Sequence, residues 1–296
     1  MTTHVETEIA SQPDCWRRAA ETAAERAGLL PRTGERIAVV GCGTSYFIAR
    51  AYAALRESLG EGETDAFPAS DPTPLGRGYD RIVALTRSGT TTEVAGLLAR
   101  AAGRIPTLAL TGVPDSPAGH HADTVLDLGF ADERSVVQTF ATTALQLLRA
   151  GLGVDLEASV GDAELALYEP LPAAWERHGQ FTFLGTGWTV GLADEAALKL
   201  REAARAWSES YPAMEYRHGP ISISDPDSLV WCLGPVPPGL ADEVNATGAQ
   251  FVADAVDPVA ALVRAQRLAV ALARRRGLNP DRPRNLTRSV ILAGAR

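Results

Sequence analysis

The sequence predicts an α/β protein made of two doubly wound parallel sheets, the second abbreviated. Two observations carry this. Short apolar runs alternate with helix-periodic segments along the chain, the pattern that gives parallel strands with helices on both faces. The run that opens the first half, IAVV leading into Gly41-Cys42-Gly43, also recurs as FTFL leading into Gly185-Thr186-Gly187. That recurrence reads as an internal duplication of a strand–turn–helix unit.

Residues 5–29 predict an amphipathic helix interrupted at Pro13. A strand at 37–40 enters the turn Gly41-Cys42-Gly43-Thr44-Ser45, and a helix follows over 46–59. RIVAL (81–85) is the next strand; it ends in Thr86-Arg87-Ser88-Gly89-Thr90-Thr91-Thr92, after which Glu93 opens a helix to Ala102. TLALTG (107–112) and TVLDLG (124–129) are further strands, and a helix over 135–152 closes the first half. The second half restarts at 181–190. AWSESYPAMEY (206–216) reads as helical, SLVWCLG (228–234) as the second strand of this half, and 256–277 as a long helix before the polar tail NPDRPRNLTRSV. Fewer strands fit here than in the first half. The expected architecture is a flavodoxin-like three-layer α/β/α lobe over 1–160 and a shortened copy over 161–296.

Composition narrows the function. Of 296 residues, 46% are hydrophobic and 22% charged, with a net charge of −8. No basic stripe with interleaved aromatics points to nucleic acid, and no apolar run has the ~18 residues of a membrane helix. The acidic N-terminal segment lacks an apolar signal core, so a cytoplasmic protein is expected. Three widely spaced cysteines and five histidines without ligand spacing suggest neither a disulfide framework nor a metal site.

An anion bound by so acidic a chain needs local donors rather than bulk charge. GCGTS follows a strand and opens a helix, so its glycines admit an anion to free helix N–H groups, while Thr44 and Ser45 add hydroxyls. Tyr46 stands where a dinucleotide fingerprint has its third glycine, which disfavours NAD. TRSGTTT repeats the arrangement at the neighbouring strand end. Two such turns can surround one phosphate with neutral donors.

Glu195, Lys199 and Glu202 fall at i, i+4 and i+7 and share one helix face. A solvated Glu–Lys pair would have the same spacing. Here, however, the helix directly follows a Gly-x-Gly turn at a strand end, and Lys199 is the single lysine among 28 basic side chains. His218 comes next, on a turn made rigid by Gly219-Pro220.

At these residues a family becomes recognisable. GCGTS, TRSGTTTE, EAALKLRE, YRHGP and DRPRNL, in this order, resemble the sugar isomerase (SIS) domain family. They are similar in particular to the isomerase domain of glutamine–fructose-6-phosphate amidotransferase and to AgaS-type galactosamine-6-phosphate deaminase/isomerases. EIASQP (8–13) resembles the N-terminal segment of the latter, so the resemblance runs from about residue 8 to 290. It implies that Thr44, Ser45, Thr86, Ser88 and Thr91 hold a sugar phosphate and that Cys42 and Arg87 line the same pocket. It implies that Glu202 moves the proton between C1 and C2, that His218 opens the ring from across a two-fold interface, and that Lys199 and Glu195 support them. ERSVVQT (133–139) resembles the family's sugar-contacting loop, which nominates Glu133, Ser135 and Gln138. The sequence shows no glutaminase segment, and Arg288 stands where the amidotransferases carry a Schiff-base lysine. A guanidinium stays protonated and is a poor amine nucleophile, so amination of a ketose through an imine at that position is not expected.

The expected protein is therefore a homodimeric, cofactor-free enzyme of a hexose or hexosamine 6-phosphate, an aldose–ketose isomerase or deaminase working through an enediol or enolamine. Interface residues are sought in Trp207, Tyr211, Met214 and Tyr216. The same base would also serve an N-acetylglucosamine 6-phosphate dehydratase eliminating at C3, or a deglycase of phosphorylated Amadori compounds. A non-catalytic phosphosugar sensor would have no use for the Glu/Lys/Glu and His set, and no DNA-binding module accompanies it.

Overall fold

The structure, a computed structural model, describes residues 3–134 and 138–292. In chain order it contains α1 (His4–Ala10), α2 (Gln12–Glu25), β1 (Ile37–Gly41), α3 (Thr44–Ser58), β2 (Thr64–Pro68), β3 (Arg81–Thr86), α4 (Thr92–Ala101), β4 (Thr107–Thr111), α5 (Pro117–His121) and β5 (Thr124–Asp127). Then come α6 (Thr139–Gly151), α7 (Glu157–Tyr168), β6 (Gln180–Gly185), α8 (Thr189–Ala204), β7 (Trp207–Pro212), β8 (Ser228–Leu233), α9 (Leu240–Ala246), β9 (Gln250–Ala253) and α10 (Pro258–Arg275). No helix among the described residues is long and apolar enough to cross a membrane.

All strand pairs are parallel. The first sheet has the order β2-β1-β3-β4-β5, the flavodoxin-like order, and the second has β7-β6-β8-β9, the same path stopped one strand short. In such a sheet the chain runs outward from its first strand and then returns across it, which opens a crevice beyond the strand ends at the switch point. The switch points lie between β1 and β3 and between β6 and β8. The turns Gly41–Ser45 and Arg87–Thr91 thus flank the first, and the turn after Gly185 borders the second.

The chain divides into two compact units, and each draws on both ends of the sequence. One comprises residues 14–156 with 285–296 and holds the five-stranded sheet; the other comprises 1–13 with 157–284 and holds the four-stranded sheet. The lobes expected over 1–160 and 161–296 contain no such exchange of ends. In the five-stranded unit, Val40, Ile82, Ala84, Val94, Leu97 and Leu98 belong to one core cluster. In the four-stranded unit, Leu184, Tyr216, Val230, Cys232, Leu240 and Val244 do the same.

The duplicated glycines have a common cause. A Cβ on Gly41 would lie 2.6 Å from the backbone of Ser45, and one on Gly185 would lie 2.4 Å from the backbone of Thr189. Each helix starts so soon after its strand that its first turn rests on the strand's last residue. Two residues on, Gly43 (φ +55°) and Gly187 (φ +59°) adopt the left-handed region in which the chain reverses.

Three local expectations need correction. The N-terminal helix breaks at Ser11, and Pro13 sits in the first turn of α2, where its missing N–H has no partner to lose. β2 (TDAFP) was not anticipated, because its polar residues and short length hide an edge strand. Residues 207–212 are strand β7 and not helix. One of its faces turns Ser208 Oγ to Ala197 O at 2.7 Å and Ser210 Oγ to Asp194 Oδ1 at 2.8 Å, both on α8. On alternate positions, Trp207 Nε1 and the Tyr211 hydroxyl donate to Glu209 at 3.2 and 3.0 Å. This period of two is that of a strand. Of the four side chains sought for an interface, Tyr216 is fully buried in its own unit, Tyr211 is half-buried, and Trp207 and Met214 are exposed.

The glycine geometry predicts opposite effects for one substitution at different sites. Gly41→Ala and Gly185→Ala are expected to destabilise by about 1–3 kcal/mol, the usual cost of overpacking. Gly96→Ala, on the exposed face of α4 with nothing within 4 Å of the new methyl, is expected to stabilise by about 0.5–1 kcal/mol. Urea denaturation of the three variants checks both signs.

Candidate functional site

The five-stranded unit collects the hydroxyl-rich turns. Thr44 and Ser45 open α3 and are buried. Cys42 precedes them as a half-buried free thiol; burial pushes the thiol up, and the Glu93 carboxylate adds to this, so it stays protonated at neutral pH. Beyond β3, Thr86, Arg87 and Ser88 are buried as well. Gly89 (φ +65°) is pressed so close to Ser116 that an added Cβ would lie 1.9 Å from its Oγ. Ser88 Oγ accepts from the Thr90 N–H at 3.2 Å and from the Thr90 hydroxyl at 3.1 Å. Thr91 is the N-cap residue of α4, and its side chain makes no capping bond. The N-termini of α3 and α4 and these hydroxyls thus flank one switch point, an arrangement suited to a phosphate.

Arg87, expected to line the same pocket, is tied to two other segments of its unit. Its guanidinium donates to Glu133 O at 2.8 Å and to Arg288 O at 2.5 Å. Arg288 in turn donates to Glu133 O at 2.5 Å and forks onto the Asp132 carboxylate at 2.6 and 2.8 Å. The tail continues alongside the loop. Ser289 Oγ meets Thr90 Oγ1 at 2.8 Å, Val290 O accepts the Thr92 N–H at 3.1 Å, and Leu292 N–H donates to Thr92 Oγ1 at 2.9 Å. The position expected of a Schiff-base lysine in the relatives therefore holds a structural fork in this chain.

Of the three residues nominated for sugar contact, Ser135 lies outside the described residues. The Glu133 carboxylate accepts the backbone N–H groups of Gln138, Thr139 and Phe140 at 2.8–3.3 Å and so caps α6. Gln138 is buried at the N-cap of that helix, and its Nε2 has no hydrogen-bond partner among the described residues. A carboxylate capping a helix from five residues upstream leaves no sequence signature beyond Glu before a helix. Asp132, Thr90 and Ser289 were also missed, since only the fold brings the tail to the loop.

The four-stranded unit carries the acid–base face. Lys199 Nζ lies 3.4 Å from Glu195 and 2.5 Å from Glu202. Lys199 and Glu195 are each 1% exposed, whereas the Glu202 side chain is 17% exposed. One buried ammonium therefore links two carboxylates, and the one facing outward is Glu202. α8 is held in place by α10, β6 and β7. His218 ends a short 3₁₀ turn and is exposed. The turn is pinned by Arg217, which donates to Glu243 at 2.6 and 3.0 Å and to Pro238 O at 2.7 Å. No hydrogen bond or ion pair between His218 and Glu202 is found among the described residues. The duplicated glycine turn is closed on itself: the Thr186 hydroxyl donates to Pro235 O at 2.9 Å, and the Thr186 N–H donates to Thr189 Oγ1 at 2.8 Å. The duplication thus kept the turn but not its Thr-Ser pair, which is Trp188-Thr189 here.

Comparison with known proteins agrees with the motifs. The SIS domain family model matches residues 32–150, a stretch within the five-stranded unit. Among curated relatives, the glutamine–fructose-6-phosphate aminotransferase of Methanothermobacter thermautotrophicus is 29% identical over 336 residues, covering 96% of this chain and 57% of that protein. The enzyme of the same name from Nostoc sp. is 28% identical over 326 residues, covering 87% and 52%. The chain spans about half the length of these relatives. A glucosamine-6-phosphate deaminase from Thermotoga maritima superposes with a TM-score of 0.77 at 24% identity, covering 98% of this chain and 100% of that one. A tagatose-6-phosphate ketose/aldose isomerase from Escherichia coli does so with a TM-score of 0.76 at 21% identity, covering 98% and 96%. These structures share the fold.

The buried Glu195–Lys199–Glu202 set predicts a large stability effect. Lys199→Met leaves two carboxylates without their ammonium and is expected to destabilise by about 3–5 kcal/mol, the cost of breaking a buried ion pair. Adding Glu195→Gln is expected to return part of the loss. Urea midpoints of the two variants check this; an unchanged midpoint for Lys199→Met would show that the cation carries no such load.

Proposed function

We propose that this chain is an aldose–ketose isomerase or deaminase of a hexose or hexosamine 6-phosphate. The observation that carries the reading is the outward-facing Glu202 carboxylate, held by the buried Lys199 on a helix that follows a strand-end glycine turn. The hydroxyl turns supply what a phosphate needs. The similar proteins support the substrate class, since their names include glucosamine-6-phosphate deaminase, tagatose-6-phosphate isomerase and glutamine–fructose-6-phosphate aminotransferase.

In this reading Thr44, Ser45, Thr86, Ser88 and Thr91 take the phosphate. His218 shuttles the proton that opens the sugar ring. Glu202 removes the C2 proton, acidic beside the C1 carbonyl, and the resulting enediol or enolamine is reprotonated at C1. With a hydroxyl at C2 the product is the ketose. With an amine at C2 it is a C2 imine, which water hydrolyses to ketose and ammonia. Isomerisation and imine hydrolysis both leave the overall oxidation state of the sugar unchanged, so no electron carrier enters. Glu195 and Lys199 hold Glu202 in orientation. Arg288, engaged with Asp132, offers no amine for imine formation, which favours isomerisation and deamination over amination.

The test is NMR in D₂O with glucosamine, galactosamine and N-acetylglucosamine 6-phosphates and with fructose 6-phosphate. Deuterium is expected at C1 or C2 of a non-acetylated substrate, and Glu202→Gln is expected to slow exchange by at least ~10²-fold. Loss of water from the N-acetylated sugar alone would replace this reading with a dehydratase; near-normal exchange in the variant would remove Glu202 from the mechanism.

We also propose that the active protein is a homodimer whose His218 serves the partner's Glu202, as an isologous pairing allows. The exposed His218 turn and the exposed Trp207 and Met214 support this. Mixing inactive Glu202→Gln and His218→Ala subunits is expected to restore about half the wild-type activity per mixed dimer, because one site then carries both lesions and the other neither. Subunit exchange seen by mass without recovered activity would assign both residues to the same chain.

A further inference from the structure

We infer that Ser289, from the tail, is a positioning residue for the phosphate turn. It heads a chain of hydroxyls, Ser289–Thr90–Ser88, that fixes where the Ser88 proton points. The inference rests on the proposed reading in which Ser88 binds phosphate.

Proton counting carries it. A hydroxyl has one proton to give and two lone pairs to receive with. The Thr90 hydroxyl donates to Ser88 Oγ at 3.1 Å. The 2.8 Å bond between Thr90 and Ser289 must then be donated by Ser289. Ser88 Oγ receives a second donor, the Thr90 N–H, at 3.2 Å. With its oxygen engaged as an acceptor on both sides, Ser88 has only its proton to offer, and no acceptor for that proton is found among the described residues. Ser88 is 6% exposed. A buried O–H without an acceptor costs free energy, and a phosphate oxygen relieves it. Hydroxyls in series polarise one another, so the proton that meets the anion is a stronger donor than that of an isolated serine.

The tail is built to hold this first hydroxyl in place. Thr287 Oγ1 donates to Ser289 O at 2.7 Å. On one side of Ser289, Arg288 forks onto Asp132; on the other, Val290 O takes the Thr92 N–H. The loop residues used alternate. Thr90 and Thr92 bind the tail, while no hydrogen bond from Ser88 or Thr91 to it is found among the described residues, which leaves them for a ligand.

Isothermal titration calorimetry with inorganic phosphate and glucose 6-phosphate tests the relay on wild type, Ser88→Ala, Ser289→Ala, Ser289→Thr and the double alanine variant. Ser289→Ala is expected to weaken binding about 3–10-fold, the range of one hydrogen bond, while Ser289→Thr, which keeps the hydroxyl, stays within about twofold of wild type. The double variant is expected to bind no more weakly than Ser88→Ala alone, because both changes interrupt one chain. If Ser88→Ala weakens binding and Ser289→Ala does not, or if the two losses add in full, the relay is overturned while the phosphate site stands. If wild type binds neither probe, the phosphate site itself fails and the relay falls with it.

Discussion

A helix that begins within four residues of a strand's end, as α3 and α8 do, must lay its first turn against the strand's last residue, and only glycine leaves room for it. That constraint acts at Gly41 and Gly185, and the rest of the arrangement depends on it. It brings the N-terminus of α3 to the switch point of the five-stranded sheet. It also sets the start of α8 and hence the rotation of its Glu195–Lys199–Glu202 face. A side chain at either glycine would push the helix outward and turn the chemistry-bearing face with it.

The same geometry serves the two units differently. In the five-stranded unit, Ser88 Oγ accepts from both the N–H and the hydroxyl of Thr90. In the four-stranded unit, the hydroxyls of Thr186 and Thr189 are bonded within the turn and to Pro235. Its charged groups instead line up along α8, where burial makes the single lysine the counter-charge of two carboxylates. Charges taken so far from water persist only in mutual contact, and that contact fixes the orientation of Glu202.

What was legible in the sequence were features carried by local chemistry. The glycine turns, the Thr/Ser run and the i, i+4, i+7 stripe all fix their geometry within a few residues, and they appear where their spacing puts them. β7 was misread because Trp-Ser-Glu-Ser-Tyr has little apolar content; its strand character comes from pairing along β6, with Ser208 and Ser210 bonding to α8. The surroundings of Arg87 and Glu133 were illegible for a related reason. A guanidinium near a glycine turn can face an anion or a carbonyl, and a glutamate before a helix can face a ligand or that helix's own amides. Only the fold decides which.

The clamp that the tail places on the turn after β3 also orders events in time. The hydrogen bond from Arg87 to the Arg288 carbonyl joins positions 201 residues apart. During synthesis, β1 to β5 and their helices emerge long before residues 285–292. Until then Thr90 and Thr92 lack their tail partners, and Arg87 lacks one of its two carbonyls. Closing so long a loop is the entropically slow step in assembly. The five-stranded sheet is therefore expected to form early with an unfinished turn, and the turn acquires its final shape only as the last translated segment of that unit docks. A ribosome that stalls before residue 285 would release a sheet that folds but a turn that does not.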